Sequence, residues 1–389
     1  MFEKTKAGLK ELGADITVTE IAQQPRLWRE TLNNYQANKQ KIDGFLEEIS
    51  KKHGTVRVIL TGAGTSAYVA DTVIPYLKTS VDEKVWNFMS VPTTEIVSNP
   101  YEYLNSDIPT LFVSFARSGN SPESIATVNL GKQIVKNFYQ LTITCAPDGK
   151  LAQGATGDES NLVLLMPADS NDKGFAMTGS YTCMTLTTLL IFDSTPINEK
   201  ENWVESCISM GEDVVVRERE IEDIVALDFN RVIYLGSGSL AGMTREASLK
   251  LLELTAGKTA TLFDSSLGFR HGPKSFVDEN TLVFVFTSSN EYTRKYDLDI
   301  LNEVYADKIA KRVCSIDVRK EESFAGATFA FDQNIQAIPD AYLALPYVMV
   351  AQTFAVMEAI KLGNKPDTPS PTGTVNRVVQ GVKIHPYKG

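Results

Sequence analysis

Two glycine-containing stretches of this sequence match each other, Arg57-Val58-Ile59-Leu60-Thr61-Gly62-Ala63-Gly64-Thr65-Ser66-Ala67 and Arg231-Val232-Ile233-Tyr234-Leu235-Gly236-Ser237-Gly238-Ser239-Leu240-Ala241. The Arg, Val, Ile, both Gly and the final Ala are identical, and the copies are 174 residues apart. A second pair, Thr110–Phe115 and Thr281–Phe286, recurs at an offset of 171. A supersecondary unit that recurs in this way predicts two copies of one domain.

Within each copy, a short apolar run is followed by a glycine turn and then by a helical pattern. This alternation is typical of βαβ units around a buried parallel sheet. We therefore predict an α/β fold of two tandem domains, each a mainly parallel, flavodoxin-like sheet flanked by helices in three layers. The predicted strands are 56–60, 111–115, 141–144 and 162–166 in the first copy and 232–235 and 282–286 in the second.

The rest of the chain can be divided around these two copies. Residues 199–228 carry charged residues with apolar ones at helical spacing, and 341–362 form a long apolar run that predicts a buried helix. The predicted organisation is a helical lead-in (1–50), a first domain (51–198), a linker helix (199–228), a second domain (229–363) and an extended tail (364–389).

Composition narrows the classes of function. The chain has 389 residues, of which 43% are hydrophobic and 22% charged, and its formal net charge is -10. This acidic balance argues against nucleic-acid binding, and a run of about 18 apolar residues, which would predict a membrane span, is not found in the sequence. Four scattered cysteines favour neither a disulfide framework nor a zinc site (Cys145, Cys183, Cys207, Cys314). We expect a cytoplasmic protein.

An anionic ligand then has to be held by local chemistry. The turn Gly62–Ala67 follows a predicted strand and opens a helix, so its backbone N–H groups can approach an anion at the positive helix terminus. Two other interpretations are a tight connection without a ligand and a dinucleotide-binding turn. The dinucleotide-binding alternative lacks the acidic residue expected at the end of the next strand, because Asp82 and Glu83 precede that strand.

A second turn, Arg117-Ser118-Gly119-Asn120-Ser121, ends another predicted strand. The hydroxyls of Ser118 and Ser121 and the free N–H groups of the turn suit a phosphate. Ser121 followed by Pro122 also fits an ordinary helix N-cap, and both interpretations hold together because the capped terminus is itself the anion site.

These two turns together resemble the phosphate-sugar motif of SIS (sugar isomerase) domains. The second copy adds Glu246-Ala247-Ser248-Leu249-Lys250-Leu251-Leu252-Glu253 and His271-Gly272-Pro273, which resemble the isomerase half of glucosamine-6-phosphate synthase. Over nearly its whole length the chain is similar to the AgaS group of double-SIS proteins, described as tagatose-6-phosphate ketose/aldose isomerases and as galactosamine-6-phosphate deaminases. The resemblance implies phosphate binding by the two turns and sugar binding by Thr178 (phosphate: Gly64, Thr65, Ser66, Arg117, Ser118, Asn120, Ser121).

Helical spacing supports the comparison from the residues themselves. Glu246, Lys250 and Glu253 stand at i, i+4 and i+7, so they share one helix face. A solvated charge stripe is the alternative, but leucines surround these charges and place them near a buried surface. Glu253 is thus a candidate base for a carbon-bound proton, positioned by Lys250 and Glu246.

The resemblance also implies a role for His271, one of three histidines, in opening the sugar ring as an acid/base. The expected activity is an isomerising deamination of galactosamine 6-phosphate to tagatose 6-phosphate and ammonia, without metal or cofactor. Plain tagatose-6-phosphate isomerisation, cleavage of fructosamine 6-phosphate and a sugar-phosphate-sensing protein stay open as alternatives. We expect a homodimer or higher homo-oligomer, and the resemblance leaves open whether His271 acts in its own subunit's site or in a neighbour's.

The chain departs from the synthase pattern at two places. The tail reads Asn376-Arg377-Val378-Val379-Gln380-Gly381 where the synthases have a Schiff-base lysine, and residue 2 is Phe rather than a nucleophilic cysteine. Capture of a sugar as a lysine imine and use of glutamine as nitrogen donor are therefore not expected. The second copy also continues Thr287-Ser288-Ser289-Asn290-Glu291 without the glycine of the phosphate turn, so we expect one phosphate site per chain.

Overall fold

The computed structural model describes residues 1–320, 323–331, 338–379 and 381–389. Gln380, part of the tail stretch that departs from the synthase pattern, lies outside the described residues. The chain forms two compact units. We name them by their strands: the β1–β5 unit comprises 27–172, 179–196 and 374–389, and the β6–β10 unit comprises 1–26, 173–178 and 197–373.

Ten strands and fourteen α-helices are described in these ranges. The strands are β1 Val56–Thr61, β2 Trp86–Ser90, β3 Thr110–Ala116, β4 Phe138–Thr144, β5 Asn161–Leu165, β6 Arg231–Gly236, β7 Ala260–Ser265, β8 Thr281–Phe286, β9 Arg312–Asp317 and β10 Ala327–Ala330. The helices are α1 Lys6–Glu11, α2 Asp15–Ala22, α3 Gln24–His53, α4 Thr65–Ser80, α5 Thr93–Ser98, α6 Pro100–Tyr103, α7 Pro122–Ile134, α8 Lys150–Gln153, α9 Gly179–Phe192, α10 Ile197–Val216, α11 Glu218–Val225, α12 Ser239–Leu254, α13 Glu291–Asp307 and α14 Asp340–Lys361.

Both sheets are parallel and have the same topology. The first sheet has the order β2-β1-β3-β4-β5, and the second has β7-β6-β8-β9-β10. Numbered from the first strand of each copy, both are 2-1-3-4-5, the flavodoxin-like order. The predicted α/β fold with two copies of one domain is confirmed.

The central strands are buried on both faces because their sequences are continuous apolar runs. Every residue of β3 and of β8 is buried. In the β1–β5 unit, Phe112 and Phe138 pack edge to face at a centroid separation of 4.8 Å. In parallel sheets the carboxyl ends of neighbouring strands meet at one edge, so the turns that follow β1 and β3 lie together there, as do those that follow β6 and β8.

The predicted apolar helix is α14, at Asp340–Lys361 instead of 341–362. Within the described residues it is the one helix long and apolar enough to cross a membrane, yet 94% of its most apolar stretch is buried inside the protein. Asp340 in its first turn complements the positive helix terminus. Burial of this kind identifies a core helix of the β6–β10 unit.

Candidate functional site

The turn between β1 and α4 is built around two glycines. Gly64 adopts φ 57° and ψ -130°, a conformation that L side chains rarely occupy. A Cβ on Gly62 would lie 2.6 Å from the backbone carbonyl carbon of Ser66, so only glycine lets the helix start this close to the strand. The turn thus presents the first amides of α4 at the sheet edge, with Thr65 and Ser66 buried beside them.

The second turn joins β3 to α7 at the same edge. Thr61 at the end of β1 is paired with Ser114 of β3, which sets the two turns side by side. Ser121 is the N-cap residue and Pro122 the first helical residue, as predicted, but the Ser121 hydroxyl makes no capping hydrogen bond to the described backbone of α7. Asn120 donates its N–H to Ser118 Oγ at 3.3 Å, and its side-chain oxygen accepts from Lys150 N at 3.1 Å.

The corresponding turn of the other unit is capped differently. Asn290 precedes α13, and its side-chain oxygen accepts hydrogen bonds from Tyr292 N at 3.0 Å and Thr293 N at 3.1 Å. In α13 the helix therefore satisfies these amides internally. Of these two turns, the one before α7 therefore has an N-cap side chain that makes no hydrogen bond to the first amides of its helix.

Arg117 is buried in the β1–β5 unit and contacts the tail of the chain. Its guanidinium donates to the carbonyl of Arg377 at 2.9 Å, and the Arg377 guanidinium donates to the carbonyl of Asp172 at 3.0 Å and to Asn171 Oδ1 at 3.2 Å. The sequence did not assign Arg377 a role, because the three segments are distant in the chain. Arg377 therefore links the tail to the segment that precedes Gly179.

In the β6–β10 unit, α12 carries three charges in contact with one another. Lys250 Nζ lies 2.5 Å from Glu253 Oε2 and 3.4 Å from Glu246 Oε1. The side chains of Glu246 and Lys250 are 0% and 1% exposed, whereas that of Glu253 is 24% exposed. Of the three, Glu253 is the group that reaches solvent, while the buried Lys250 contacts both carboxylates.

His271 lies in an anchored loop after β7. Its backbone N–H donates to the Gly268 carbonyl at 2.9 Å, and Gly272 follows with φ 124°, while the residue itself is exposed. On either side of it, Arg270 Nε and Lys274 Nζ contact Glu303 of α13 at 2.7 and 2.6 Å. These hydrogen bonds, that of Lys274 first, lower the pKa of Glu303. The loop is fixed at both ends, and the imidazole between them is left available.

Thr178 is buried and belongs to the short segment 173–178 of the β6–β10 unit. Glu20 of α2 holds the start of this segment: its carboxylate accepts from Lys173 N at 2.5 Å and from Gly174 N at 3.2 Å. A Cβ on Gly174 would lie 2.9 Å from Glu20 Oε2. The sequence did not predict this role for Glu20, because its partners Lys173 and Gly174 are 153 and 154 positions away in the chain.

The predicted site residues therefore fall into two sets. Those predicted for phosphate lie in the two turns of the β1–β5 unit, and those predicted for catalysis and sugar binding belong to the β6–β10 unit (phosphate: Gly64, Thr65, Ser66, Arg117, Ser118, Asn120, Ser121; catalysis and sugar: Thr178, Glu246, Lys250, Glu253, His271). The roles of both sets stay predictions.

Both units have a parallel sheet of identical strand order with a glycine turn after its first strand, and residues 227–362 match the model of the SIS domain, which places the chain in the SIS-domain class. D-galactosamine-6-phosphate deaminase AgaS of Escherichia coli is 45% identical to this chain over 376 residues, covering 96% of each. This chain belongs to the AgaS family, and the resemblance noted in the sequence is confirmed.

Solved structures agree with this family. A Clostridium novyi protein described as a tagatose-6-phosphate ketose/aldose isomerase has 43% identity and a TM-score of 0.94, with 100% of this chain and 99% of that chain covered. The tagatose-6-phosphate ketose/aldose isomerase of Escherichia coli has 41% identity and a TM-score of 0.86, with 96% and 97% covered.

Proposed function

We propose that this enzyme converts D-galactosamine 6-phosphate and water to tagatose 6-phosphate and ammonia. Three features support the proposal: the family, the uncapped anion turn of the β1–β5 unit and the half-buried carboxylate of Glu253. We further propose a cytoplasmic homo-oligomer. A sugar phosphate held by local hydroxyls, amides and one arginine fits a chain with a net charge of -10, in which a general basic surface is not expected.

The phosphate role falls to the two turns of the β1–β5 unit. Backbone amides at the start of α4 and α7 supply directed donors, and the hydroxyls of Ser118 and Ser121 add further ones. Ser66, Thr65 and Asn120 complete the proposed donor set, with Gly64 allowing close approach. Arg117 contributes the positive charge of this set and is oriented by its bond to the Arg377 carbonyl.

The carbon chemistry falls to α12 and the His271 loop. His271 moves a proton between the ring oxygen and the anomeric hydroxyl, which opens the pyranose to the aldehyde. Glu253 then takes the proton from C2 while the aldehyde oxygen gains a proton, which gives an enolamine. Glu253 returns its proton to C1 as the C2 amine loses one, which leaves a ketimine at C2. Addition of water to the ketimine releases ammonia and forms the ketose, so the atoms balance without a redox partner.

The observation that carries the proposal is the arrangement of Lys250 between two carboxylates. A base that removes a carbon-bound proton has to be reachable, and it has to stay in position. The ammonium of Lys250 contacts Glu253 at 2.5 Å in a charge-assisted hydrogen bond that fixes the carboxylate, while Glu246 holds the ammonium from the buried side. Thr178 lies in segment 173–178, whose start is held by Glu20, and it is proposed as a contact for the sugar hydroxyls.

Replacement of the proposed base tests the mechanism. Glu253→Gln keeps the shape of the side chain and removes its basicity, so kcat should fall by about 100-fold to 10,000-fold. Ammonia and tagatose 6-phosphate are followed together with galactosamine 6-phosphate as substrate. Glu222→Gln, on the exposed side of α11, is the matched control and should keep the parent rate. Parent-like turnover by the Glu253→Gln enzyme contradicts the assignment.

Plain isomerisation of tagatose 6-phosphate is the second candidate, because the similar solved structures are described by that activity. It uses the same base and produces an aldose 6-phosphate without ammonia. A substrate panel of galactosamine, glucosamine, tagatose and fructosamine 6-phosphates separates the candidates. Ammonia from galactosamine 6-phosphate alone supports the deaminase, ketose/aldose interconversion without ammonia supports the isomerase, and ammonia from fructosamine 6-phosphate supports cleavage of that compound.

A further inference from the structure

The tail of the chain meets the phosphate turn of the β1–β5 unit at Arg377. The guanidinium of Arg117, a residue that is 7% exposed, donates to the Arg377 carbonyl at 2.9 Å. Arg117 directly follows β3 and belongs to the turn that is proposed to bind phosphate. A buried guanidinium has to be matched by acceptors, so the position of this carbonyl helps to decide where the N–H groups of Arg117 point.

The carbonyl of Arg377 is held in place by the side chain of the same residue. Its Nε donates to the Asp172 carbonyl at 3.0 Å, and its Nη2 contacts that carbonyl and also donates to Asn171 Oδ1 at 3.2 Å. Two nitrogens of one planar guanidinium thus bind one short segment, which a lysine ammonium cannot reproduce in full. These bonds fix the backbone of residue 377 and, with it, the acceptor of Arg117.

Asp172 is a rigid point of attachment for the tail. It is fully buried, and its Oδ1 accepts from Gly179 N at 3.1 Å, while its Oδ2 accepts from Ser180 N at 3.0 Å and from Ser180 Oγ at 2.5 Å. The carboxylate therefore binds the first amides of α9, a helix in which nearly every residue is buried. Because the carbonyl that accepts from Arg377 belongs to Asp172, the tail is tied to the start of a core helix.

A second contact holds the end of the tail independently of Arg377. Gln133 of α7 donates from Nε2 to the Tyr387 carbonyl at 3.1 Å, and Tyr387 packs against the apolar cluster that includes Phe112. Arg377 itself is exposed, and substitutions of exposed residues usually change the stability of a fold little. Loss of its side chain should therefore free the backbone around residue 377 without unfolding the unit.

We propose that Arg377 is a positioning residue for the phosphate of the substrate, because its side chain fixes the carbonyl that orients Arg117. This role rests on the phosphate binding proposed for Arg117 and gives the tail a part in substrate affinity. A long side chain that is ordered before the ligand arrives loses less entropy when the ligand binds. Arg377 thus strengthens the binding of phosphate and takes no part in the proton transfers.

Steady-state kinetics with galactosamine 6-phosphate compares Arg377→Ala with the parent enzyme. A less ordered Arg117 should raise KM by about 3-fold to 10-fold. The groups that move protons are unchanged, so kcat should stay within about 2-fold. Arg377→Lys keeps a donor for the Asp172 carbonyl and should recover most of the affinity. A lower kcat with an unchanged KM would be the effect of less folded enzyme, and it would contradict the proposed role.

Two variants test whether Arg377 acts through Arg117. Gln133→Ala loosens the tail at Tyr387 and leaves both arginines in place, so this matched control should keep the KM of the parent. In an Arg117→Met enzyme, the group that Arg377 orients is gone, and the addition of Arg377→Ala should change KM by less than about 2-fold. An equal rise in KM on adding Arg377→Ala to the parent and to Arg117→Met would overturn the proposed role.

Calorimetric titration with inorganic phosphate gives a result that depends neither on turnover nor on the folding of Arg117→Met. Arg377→Ala should bind phosphate about 3-fold to 10-fold more weakly than the parent, and this result supports the role of Arg377. Ser118→Ala reports separately on the proposed phosphate turn. If only Ser118→Ala weakens phosphate binding, Arg377 has no positioning role and the proposed site is kept. If neither variant weakens it, both the proposed phosphate site and the role of Arg377 are wrong.

Discussion

At the scale of single residues, Lys250 is the buried cation that balances two carboxylates of α12, Glu246 and Glu253. Lys250→Met removes the cation that contacts both Glu246 and Glu253. Breaking a buried ion pair costs about 3–5 kcal/mol, since a charge stays buried without its former counter-ion. We expect a loss of this size in the free energy of unfolding, measured with urea.

Two companion variants separate charge from packing in that experiment. Adding Glu246→Gln to Lys250→Met should restore part of the stability but not the activity, because Glu253 still lacks its neighbour. Lys51→Met removes the lysine of an exposed pair with Glu47 and should cost less than about 1 kcal/mol. Equal losses for Lys51→Met and Lys250→Met would show that burial is not what makes Lys250 important.

Sequence spacing anticipated some of these residues and missed others for a physical reason. The i, i+4, i+7 spacing of Glu246, Lys250 and Glu253 is local, so it was enough to place them on one helix face. Glu20 and Arg377 were missed because their partners come from other segments, and Lys173 is 153 positions from Glu20. A contact of that range depends on topology, which single-residue patterns do not contain.

At the scale of elements, the βα turn of Gly62 is the feature most sensitive to one added methyl group. Gly62→Ala would place Cβ 2.6 Å from the Ser66 carbonyl carbon, so α4 has to move away from β1. Overpacking of this kind costs about 1–3 kcal/mol. We expect a lower urea midpoint and a smaller stabilisation by inorganic phosphate than in the parent.

A glycine elsewhere in the same unit gives the opposite expectation. Gly44 lies within α3, and a Cβ at this position would meet no described atom within 4 Å apart from its chain neighbours and the backbone of its own helix. Gly44→Ala should therefore stabilise the unit by about 0.5–1 kcal/mol through helix propensity and leave phosphate binding unchanged. If Gly62→Ala also left phosphate stabilisation intact, the turn would not be the anion site.

The His271 loop is held by Glu303, which contacts both Arg270 and Lys274, and Lys274 also pairs with Asp307 at 2.6 Å. Glu303→Gln weakens the contacts to Arg270 and Lys274, so the loop should exchange its amide hydrogens faster over 268–276. Misplacing His271 should lower kcat by up to about 100-fold. The stability change should stay below about 1 kcal/mol, because Glu303 is 36% exposed. Glu291 is on the same helix as Glu303 and forms an exposed pair with Arg319. Glu291→Gln should change neither the amide exchange of the loop nor kcat.

The effect of Glu303→Gln on stability should depend on pH, because the pKa of Glu303 is lowered in the folded protein. A carboxyl whose pKa is depressed in the folded state stabilises above its unfolded pKa, and this contribution is lost as the pH falls through the folded value. The difference in the free energy of unfolding between the parent and Glu303→Gln should therefore be largest at neutral pH and should disappear at acidic pH. A gap that stays constant down to strongly acidic pH would contradict the ion-pair explanation.

Prediction of the elements succeeded where apolar runs and glycine turns coincide. The strands β1, β3, β5, β6 and β8 were expected from their apolar runs and are observed with boundaries that shift by at most one residue, and β4 begins three residues earlier than expected. Strand β7 was not expected, because its residues are all exposed or half-buried and so lack an apolar run. The segment 199–228, expected as one helix, is covered by two helices, α10, which begins at Ile197, and α11, with Arg217 between them.

At the scale of the whole molecule, neither unit is continuous in sequence. The β6–β10 unit takes the N-terminal 26 residues and the short segment 173–178, and the β1–β5 unit takes the tail from 374. A repeat search finds the two copies but cannot show which unit these added segments join, because they are not part of the repeated pattern. Which segment completes which core is a property of the three-dimensional packing.

Four buried thiols report on the integrity of both units. Cys145 and Cys183 lie in the β1–β5 unit, and Cys207 and Cys314 lie in the β6–β10 unit. Burial raises the pKa of Cys145 and of Cys314 to about 12 and also raises that of the other two. Because the thiolate is the reactive form, iodoacetamide should label all four slowly in the native protein at about pH 7.5.

In a urea series with pulsed iodoacetamide, the two thiols of one unit should become reactive at one common midpoint, since they share a core. Raised folded pKa values mean that stability is full below the ordinary thiol pKa of 9.0 and is lost as the pH rises toward the folded values. Above this ordinary value, each buried thiol should lower the free energy of unfolding by about 1.4 kcal/mol per pH unit. The urea midpoint at about pH 10 should therefore lie below that at about pH 8. A chain with all four cysteines changed to alanine isolates this effect from tyrosine and lysine titration, because its midpoint should fall less over the same range. Fast labelling of any one thiol in the native state would show that its core opens locally, and the common midpoint would then fail for that unit.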